Sequence, residues 1–418
     1  MQLEKGKRNL VLVILSVIAG IAYLTPLIRF TFYDQMIAAL NITDVQLGTI
    51  AGAYGTLSVI GYLPSGMLAE KFNTKKLLIL SCGAMALVTL WYATLPGYTA
   101  LIIIHGLFGI FSVGTFWSPY LKAVRNLGTE NEQGRLFGIS EGVRGVGQTV
   151  VAFICLGVMG LFATAAAGFR AVLLINAAVF VILTLLVIFL VPDFDADKGQ
   201  AAEAQKKESM WKAFGKSSVW LCIFVIMCGY VLWNSANSYM GTYCTRVLKI
   251  SPELSSTLSI VRSYIIVFVA GVSGGIIMDR FKFKGSGMFF AFLAVGICTA
   301  AVFFTSHAVM LCVVVTVVLA YLVNVIKSTY WSILGEAGVP LAMTGMATGI
   351  ISLIGLSPDI FVAPVISQFL AYGEAQGDVT IGFNIMLAWM VVWAALGILS
   401  AVLLKRRGRK TKNLGALE

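Results

Sequence analysis

Apolar residues in this chain run in long unbroken stretches, at about 10–36, 45–69, 76–95, 99–121, 136–162, 168–191, 217–244, 254–278, 286–306, 308–333, 344–371 and 380–404. Each is near or above the ~20 residues that a tilted membrane-crossing helix needs. Polar and apolar positions do not alternate inside them, as they would in barrel strands. The pattern predicts an all-α integral membrane fold of twelve transmembrane helices. One long polar interruption, Pro192–Lys216, separates the sixth stretch from the seventh. The predicted organisation is a six-helix bundle over 1–192, a cytoplasmic linker over 193–216, a second six-helix bundle over 217–404 and a basic cytoplasmic tail over 405–418.

Composition agrees with that reading. The 418 residues are 59% hydrophobic and 12% charged, against roughly 25% charged in soluble domains. Lys5, Lys7 and Arg8 lead straight into the first stretch without a small-residue cleavage site, so no cleavable signal is expected. Lysine and arginine cluster in alternate loops. Lys71, Lys75, Lys76, Lys122, Arg125, Arg135, Arg280, Lys282, Lys284, the linker lysines and the 405–412 cluster share the side of the N-terminus. The opposite loops hold only Arg170, Arg246 and Lys249. The positive-inside rule then puts both termini in the cytoplasm, and the short loops and lack of a targeting peptide suggest a bacterial inner membrane. The net charge of +11 is accounted for by those loops and by contact with lipid headgroups, so nucleic acid is not an expected partner. Seven scattered cysteines and two histidines have no ligand spacing, and neither a metal nor a cofactor is expected. No nucleophile–base pair or phosphate loop points to an enzyme or to ATP-driven pumping.

The two halves repeat. After the second stretch the chain reads Gly66, three residues, Glu70, Lys71, Phe72, two residues, Lys75; after the eighth it reads Gly275, three residues, Asp279, Arg280, Phe281, two residues, Lys284. Trp117-Ser118 and Trp331-Ser332 form a second echo. A duplicated bundle with its site near the midplane is a transporter plan. The loop from Gly66 to Lys75 resembles the signature loop of the major facilitator superfamily, Gly-x-Leu-Ala-Asp-Arg-x-Gly followed by two bases, with Glu70, Lys71 and Asn73 as departures. The resemblance covers the whole chain. It implies that Gly66, Glu70, Lys71, Gly275, Asp279 and Arg280 act at a cytoplasmic gate; the plainer alternative is that they anchor a tight turn at the membrane surface.

Four bases fall inside apolar stretches: Arg29, Arg144, Arg262 and Lys327. Each costs at least ~2.5–3.5 kcal/mol at bilayer depth. Only Glu141 and Asp359 are acids at similar depth, so the interior keeps a positive surplus suited to an anionic passenger. On the first span Thr25, Arg29 and Tyr33 share a face at i, i+4, i+8, loosened by Pro26; Arg29 otherwise snorkels outward or pairs with Asp34. On the fifth, Glu141, Arg144 and Gln148 form a stripe, either a structural ion pair or a pair that opens for substrate. Tyr230, Trp233, Asn234 and Asn237 give the seventh span a polar-aromatic face that suits a solute or packs helices together. Ser259 and Arg262 face one way on the eighth. Tyr321, Asn324 and Lys327 recur on the tenth, where Lys327 suits a gate or a substrate contact. Ser352 and Asp359 share a face on the eleventh beside Pro358; Asp359 is a coupling-proton carrier or, preferably, a fixed counter-ion.

Within the superfamily, Tyr23-Leu24 and Ile28-Arg29-Phe30 resemble the phosphate-binding stretch of the organophosphate:phosphate antiporter branch, which gives that role to Arg29. Arg144-Gly145-Val146-Gly147 matches the branch's substrate-contacting segment in span five. In span seven Trp233 follows Tyr230-Val231-Leu232 where the branch has a second arginine, and Arg262 on the next span would supply the missing charge. The expected function is a secondary active transporter that moves a small anionic organic solute (a phosphate ester, carboxylate or sulfonate) by alternating access, by antiport with a counter-anion or symport with a proton. It is expected to work as a monomer. Export of anionic lipids or drugs, and a transporter-like sensor, are the alternatives.

Overall fold

The computed structural model describes residues 4–129, 132–193, 215–339 and 344–414, all of the assigned secondary structure helical. Most of the 193–216 linker lies outside the described residues. The chain forms two compact units, Met1–Glu203 and Ala204–Glu418.

In the first unit the helices are α1 (Lys5–Leu24), α2 (Arg29–Leu40), α3 (Asp44–Lys71), α4 (Thr74–Ala93), α5 (Tyr98–Gly109), α6 (Trp117–Arg125), α7 (Gln133–Met159) and α8 (Ala165–Leu190). The second unit has α9 (Ser217–Arg246), α10 (Pro252–Ile260), α11 (Ile266–Asp279), α12 (Lys284–Thr305), α13 (Val309–Thr329), α14 (Thr344–Gly355), α15 (Pro358–Ala375) and α16 (Val379–Leu414). Among the described residues, eleven helical stretches are long and apolar enough to cross a membrane. The 28-residue α3, richer in glycine, supplies the twelfth. Four crossings are built from two helices each: α1–α2, α5–α6, α10–α11 and α14–α15.

Those interruptions have local causes. Pro26 lacks an N–H and its ring crowds the preceding turn, so α1 stops at Leu24 and α2 starts at Arg29. Phe32 inside α2 is also non-helical (φ −121°, ψ 43°). The first span is therefore not the continuous helix expected over 10–36, and the shared face of Thr25, Arg29 and Tyr33 is interrupted. Pro358 opens α15 after a break at Leu356–Ser357. A π-helical turn joins α5 to α6 over Ile110–Gly114, and another joins α10 to α11 over Val261–Ile265. At its far end the chain stays helical to Leu414, so the basic residues after Leu404 extend the twelfth helix.

Each unit has its own core. Tyr92, Tyr120, Phe108, Phe116, Phe169 and Phe180 fill the first; Tyr239, Tyr243, Phe292 and Phe383 fill the second. Large apolar side chains such as Leu87, Phe189, Phe304 and Met310 are exposed instead. Such an outside suits lipid, where apolar surface carries no solvation penalty. At Gly20 a Cβ would stand 2.9 Å from the Arg144 carbonyl oxygen, so only glycine lets α1 and α7 approach this closely. A directional hydroxyl chain sits on the same packed face. Ser16 donates to the Leu12 carbonyl (2.5 Å), which leaves it to accept from Ser140 (2.7 Å), which in turn accepts from Tyr120 (2.7 Å).

Candidate functional site

In the second unit, one face of α9 gathers most of the polar residues singled out from the sequence. Tyr230 donates its hydroxyl to Asp359 Oδ2 (2.8 Å), and Asn234 Nδ2 donates to Asp359 Oδ1 (2.7 Å). Ser238, one turn on, donates to Asn234 Oδ1 (3.1 Å). The Trp233 indole N–H donates to Asn324 Oδ1 (2.9 Å), and Asn324 Nδ2 is held by the Ala320 carbonyl (2.8 Å). Lys327 Nζ lies 3.2 Å from the Trp233 ring centroid and 6.0 Å from that of Tyr230. Cation–π attraction is strongest over tryptophan and grows where water is excluded. A single aromatic pair thus links a carboxylate on α15 to an ammonium on α13. Tyr321 turns elsewhere and shares a hydrogen with Ser273 (2.8 Å).

The network continues toward Arg262. Asn237 Nδ2 donates to the Trp233 carbonyl (2.9 Å), and its Oδ1 accepts from Ser263 (3.2 Å), the neighbour of Arg262. Arg262 sits in the π-helical turn after α10 and is 3% exposed. Insertions of this kind re-aim one side chain and frequently mark functional sites. Its Nη1 donates to Thr316 Oγ1 (3.1 Å) and Cys244 Sγ (3.7 Å), and its Nη2 donates to Ser259 Oγ (3.1 Å). Among the described residues no carboxylate contacts it. This buried cation is held by neutral groups alone.

In the first unit Arg144 is held differently. Arg144 and Glu141 form an ion pair at 2.7 Å within α7, their side chains 25% and 53% exposed. Gln148 donates to the Gly20 carbonyl (3.0 Å) and so serves the α1–α7 contact. Arg29, 5% exposed, begins α2 and lies 4.7 Å from the Phe30 ring centroid. Tyr33 donates to Asp44 Oδ1 (2.7 Å). Tyr23 reaches the Ser112 carbonyl (3.3 Å) and packs edge-on against Trp117.

The repeated loops lie at helix ends. Lys71 closes α3, where Lys122 Nζ donates to the Ala69 carbonyl (2.6 Å), the place a helix dipole favours a cation. Glu70 precedes it. Asn73 caps α4 by accepting from the Lys76 N–H (3.0 Å). In the second unit Asp279 pairs with Lys284 (2.6 Å), and Arg280 follows α11. A Cβ at Gly66 or Gly275 would meet nothing within 4 Å, so neither glycine is required by the packing around it. Glu336, not singled out from the sequence, accepts from the backbone N–H groups of Lys284 and of Gly285 (3.1 Å) and caps α12. Thr316, Cys244 and Ser263 were also missed. Thr316 lies eight residues before Asn324, two turns along one face of α13, and that spacing is the signal that could have found it.

Outside the spans, the Thr129 backbone N–H and then the Arg8 guanidinium hold the Glu132 carboxyl below its usual range. Arg8 Nη1 stands 3.0 Å from Glu132 Oε1.

The fold is that of a multi-pass helical membrane protein. Residues 10–361 match the family description Major Facilitator Superfamily, and the chain belongs to that family of secondary transporters. It is similar to inner membrane protein YqcE of Escherichia coli (strain K12), 27% identical over 412 residues, which span 95% of this chain and 94% of that one. Inner membrane protein YihN of the same organism is 25% identical over 419 residues, 97% of each chain. Among solved structures, a bacterial homolog to the human lysosomal transporter Spinster, inward-facing and unoccupied, shares the fold with a TM-score of 0.77 at 14% identity, over 97% of this chain and 98% of that one.

Proposed function

We propose that this transporter resides in a bacterial inner membrane, with both termini cytoplasmic, and moves a small anionic organic solute by alternating access. The observation that carries the reading is Arg262, buried at 3% exposure with only hydroxyl and thiol partners among the described residues. A guanidinium suits carboxylate, sulfonate or phosphate oxygens in a way that an ammonium does not. The Tyr230–Trp233 face would pack the solute's carbon skeleton, and Asn237, Asn324 and Lys327 its polar groups. In the first unit the corresponding roles fall on Arg29, Arg144, Tyr33 and Gln148. Glu70, Lys71, Asp279 and Arg280, with Gly66 and Gly275, would act at the cytoplasmic gate, and Glu141 would be the counter-ion of Arg144. Location rests on the two inner membrane relatives and on the loop bases.

Anion exchange is favoured over proton symport. Both oxygens of Asp359 accept hydrogen bonds from α9, through Tyr230 and Asn234, which holds this carboxyl in place. That supports a fixed counter-ion. An empty cationic site is also costly to reorient inside the membrane, so refilling by a second anion is the economical cycle. The motif likeness to the organophosphate:phosphate antiporter branch supports the same reading, with Trp233 marking a substrate difference.

Counterflow in proteoliposomes tests this with organic phosphates, carboxylates, sulfonates and inorganic phosphate, comparing wild type with Arg262→Gln. Exchange of one anion class, lost at least about 100-fold in the variant, would support the proposal; the expectation follows from one charged bidentate contact. If no anion moves, or if Arg262→Gln exchanges as wild type does, the proposal fails.

A further inference from the structure

The geometry points to a specific division of labour around Arg262: Thr316, Ser259 and Cys244 orient the guanidinium, and its Nε–Nη2 edge is the docking fork for a single oxyanion. This rests on the reading of Arg262 as the anion-binding residue and adds how it is aimed.

A guanidinium has five N–H donors in a fixed plane. Nη1 is engaged by two acceptors, Thr316 Oγ1 and Cys244 Sγ. Nη2 uses one, on Ser259 Oγ. Nε and Nη2 are adjacent nitrogens of one edge; Nε donates to none of the described residues, and Nη2 keeps one hydrogen beyond the bond to Ser259. Two adjacent donors on one edge are what a carboxylate, sulfonate or phosphate accepts in a bidentate pair.

The cradle is itself fixed. Thr316 donates its own hydrogen to the Val313 carbonyl (2.8 Å), so its oxygen can only accept from Arg262. Ser259 packs where α9 has Gly241: a Cβ there would stand 2.7 Å from Ser259 Oγ, so a larger residue would displace the hydroxyl. The π-helical turn over Val261–Ile265 brings Arg262 between Cys244 on α9 and Thr316 on α13. None of the three partners carries charge in these roles, so none competes with an anion for the fork. Thr316, Ser259 and Cys244 are positioning residues.

The test is counterflow with the anion that wild type exchanges, with KM and maximal rate measured separately for Thr316→Val, Thr316→Ser, Ser259→Ala and Arg262→Lys. Monodisperse elution in detergent identifies variants that fold. Thr316→Val should raise KM at least about tenfold, equivalent to ~1.4 kcal/mol, with the maximal rate within about twofold. Thr316→Ser should restore KM, because it keeps the oxygen and its backbone bond. Arg262→Lys should behave like Thr316→Val or worse although the charge is kept. If Thr316→Val and Ser259→Ala both leave KM within twofold while Arg262→Gln abolishes exchange, the cradle is overturned and the anion site stands. Full activity of Arg262→Lys would overturn the fork. If Thr316→Val fails to fold, Ser259→Ala and Arg262→Lys decide by the same KM criterion. Absence of anion exchange in wild type would sink this inference with the reading beneath it.

Discussion

The two units share a duplicated plan, yet Arg144 in the first and Arg262 in the second are held by opposite rules. In the first, Arg144 is matched within its own helix by Glu141, more than half exposed, and Gln148 is engaged in packing against Gly20. In the second, Tyr230 and Asn234 donate to Asp359, while Trp233 is bonded to Asn324 and Asn237, and Asn237 accepts from Ser263 beside Arg262; the Tyr230–Trp233 ring contact links the two sets. A base matched one turn away on its own helix already has its counter-charge and needs no ligand to supply it. A buried network is expensive to leave incomplete, because each orphaned group loses its full solvation. The contrast teaches that duplication fixes the helices, while the chemistry of each half depends on which bases lack an acid.

The largest effect that would sharpen this contrast should come from Asp359→Ala. It removes the carboxylate to which the Tyr230 hydroxyl and the Asn234 amide donate. Two hydrogen bonds to a charged group, at ~1.5–3 kcal/mol each, predict a fall in exchange of at least about tenfold, read by counterflow; wild-type exchange would remove Asp359 from the site. Trp233→Phe should follow. It deletes the indole N–H to Asn324 and weakens the ring under Lys327, so KM should rise by about 2- to 10-fold, the weight of one neutral hydrogen bond. An unchanged KM would assign this face to helix packing.

Ser140→Ala breaks the hydroxyl chain and leaves Tyr120 without its acceptor. It should destabilise the first unit by ~1–3 kcal/mol, seen as a lower melting temperature in detergent, with the substrate range unchanged. Glu141→Gln should change exchange by less than about fivefold, as an i,i+3 pair on one helix is worth ~0.2–0.5 kcal/mol; a collapse in rate would show that this pair switches and would erase the contrast. The smallest effect concerns pH. Because the Glu132 carboxyl is held below its usual range in the folded protein, it binds fewer protons there than when unfolded. Its stabilising contribution is therefore present above the ordinary glutamate range and is lost as pH falls through the lowered folded value. Melting curves of wild type and Arg8→Gln should converge below that range, and curves that stay parallel would exclude the pair as the cause.

Most of the fold was legible because bilayer thickness sets stretch length and backbone satisfaction demands helices. The repeated loop and the tryptophan echo gave the duplication. What escaped was local: Pro26 was seen as a loosening, but it ends a helix, and Tyr33 leaves the expected stripe for Asp44. Helical spacing found Tyr230, Trp233, Asn237, Asn324 and Asp359 because their helices are regular enough between the breaks. It could not find the cradle of Arg262. A π-helical turn shifts the register by an extra residue, and Cys244, Ser259 and Thr316 come from three helices whose approach periodicity does not encode. The matched pair of Glu141 and Arg144 was visible at i, i+3, yet its exposure was not.

The central claim is that a buried guanidinium in the second unit recognises negative charge. The most direct measurement is equilibrium binding of the exchanged anion and of its uncharged amide analogue to purified wild type and Arg262→Gln. The account predicts that wild type prefers the anion by at least about tenfold, some 1.4 kcal/mol, and that Arg262→Gln binds the two alike. Equal binding of both ligands by wild type, or a preference that survives in Arg262→Gln, would contradict it.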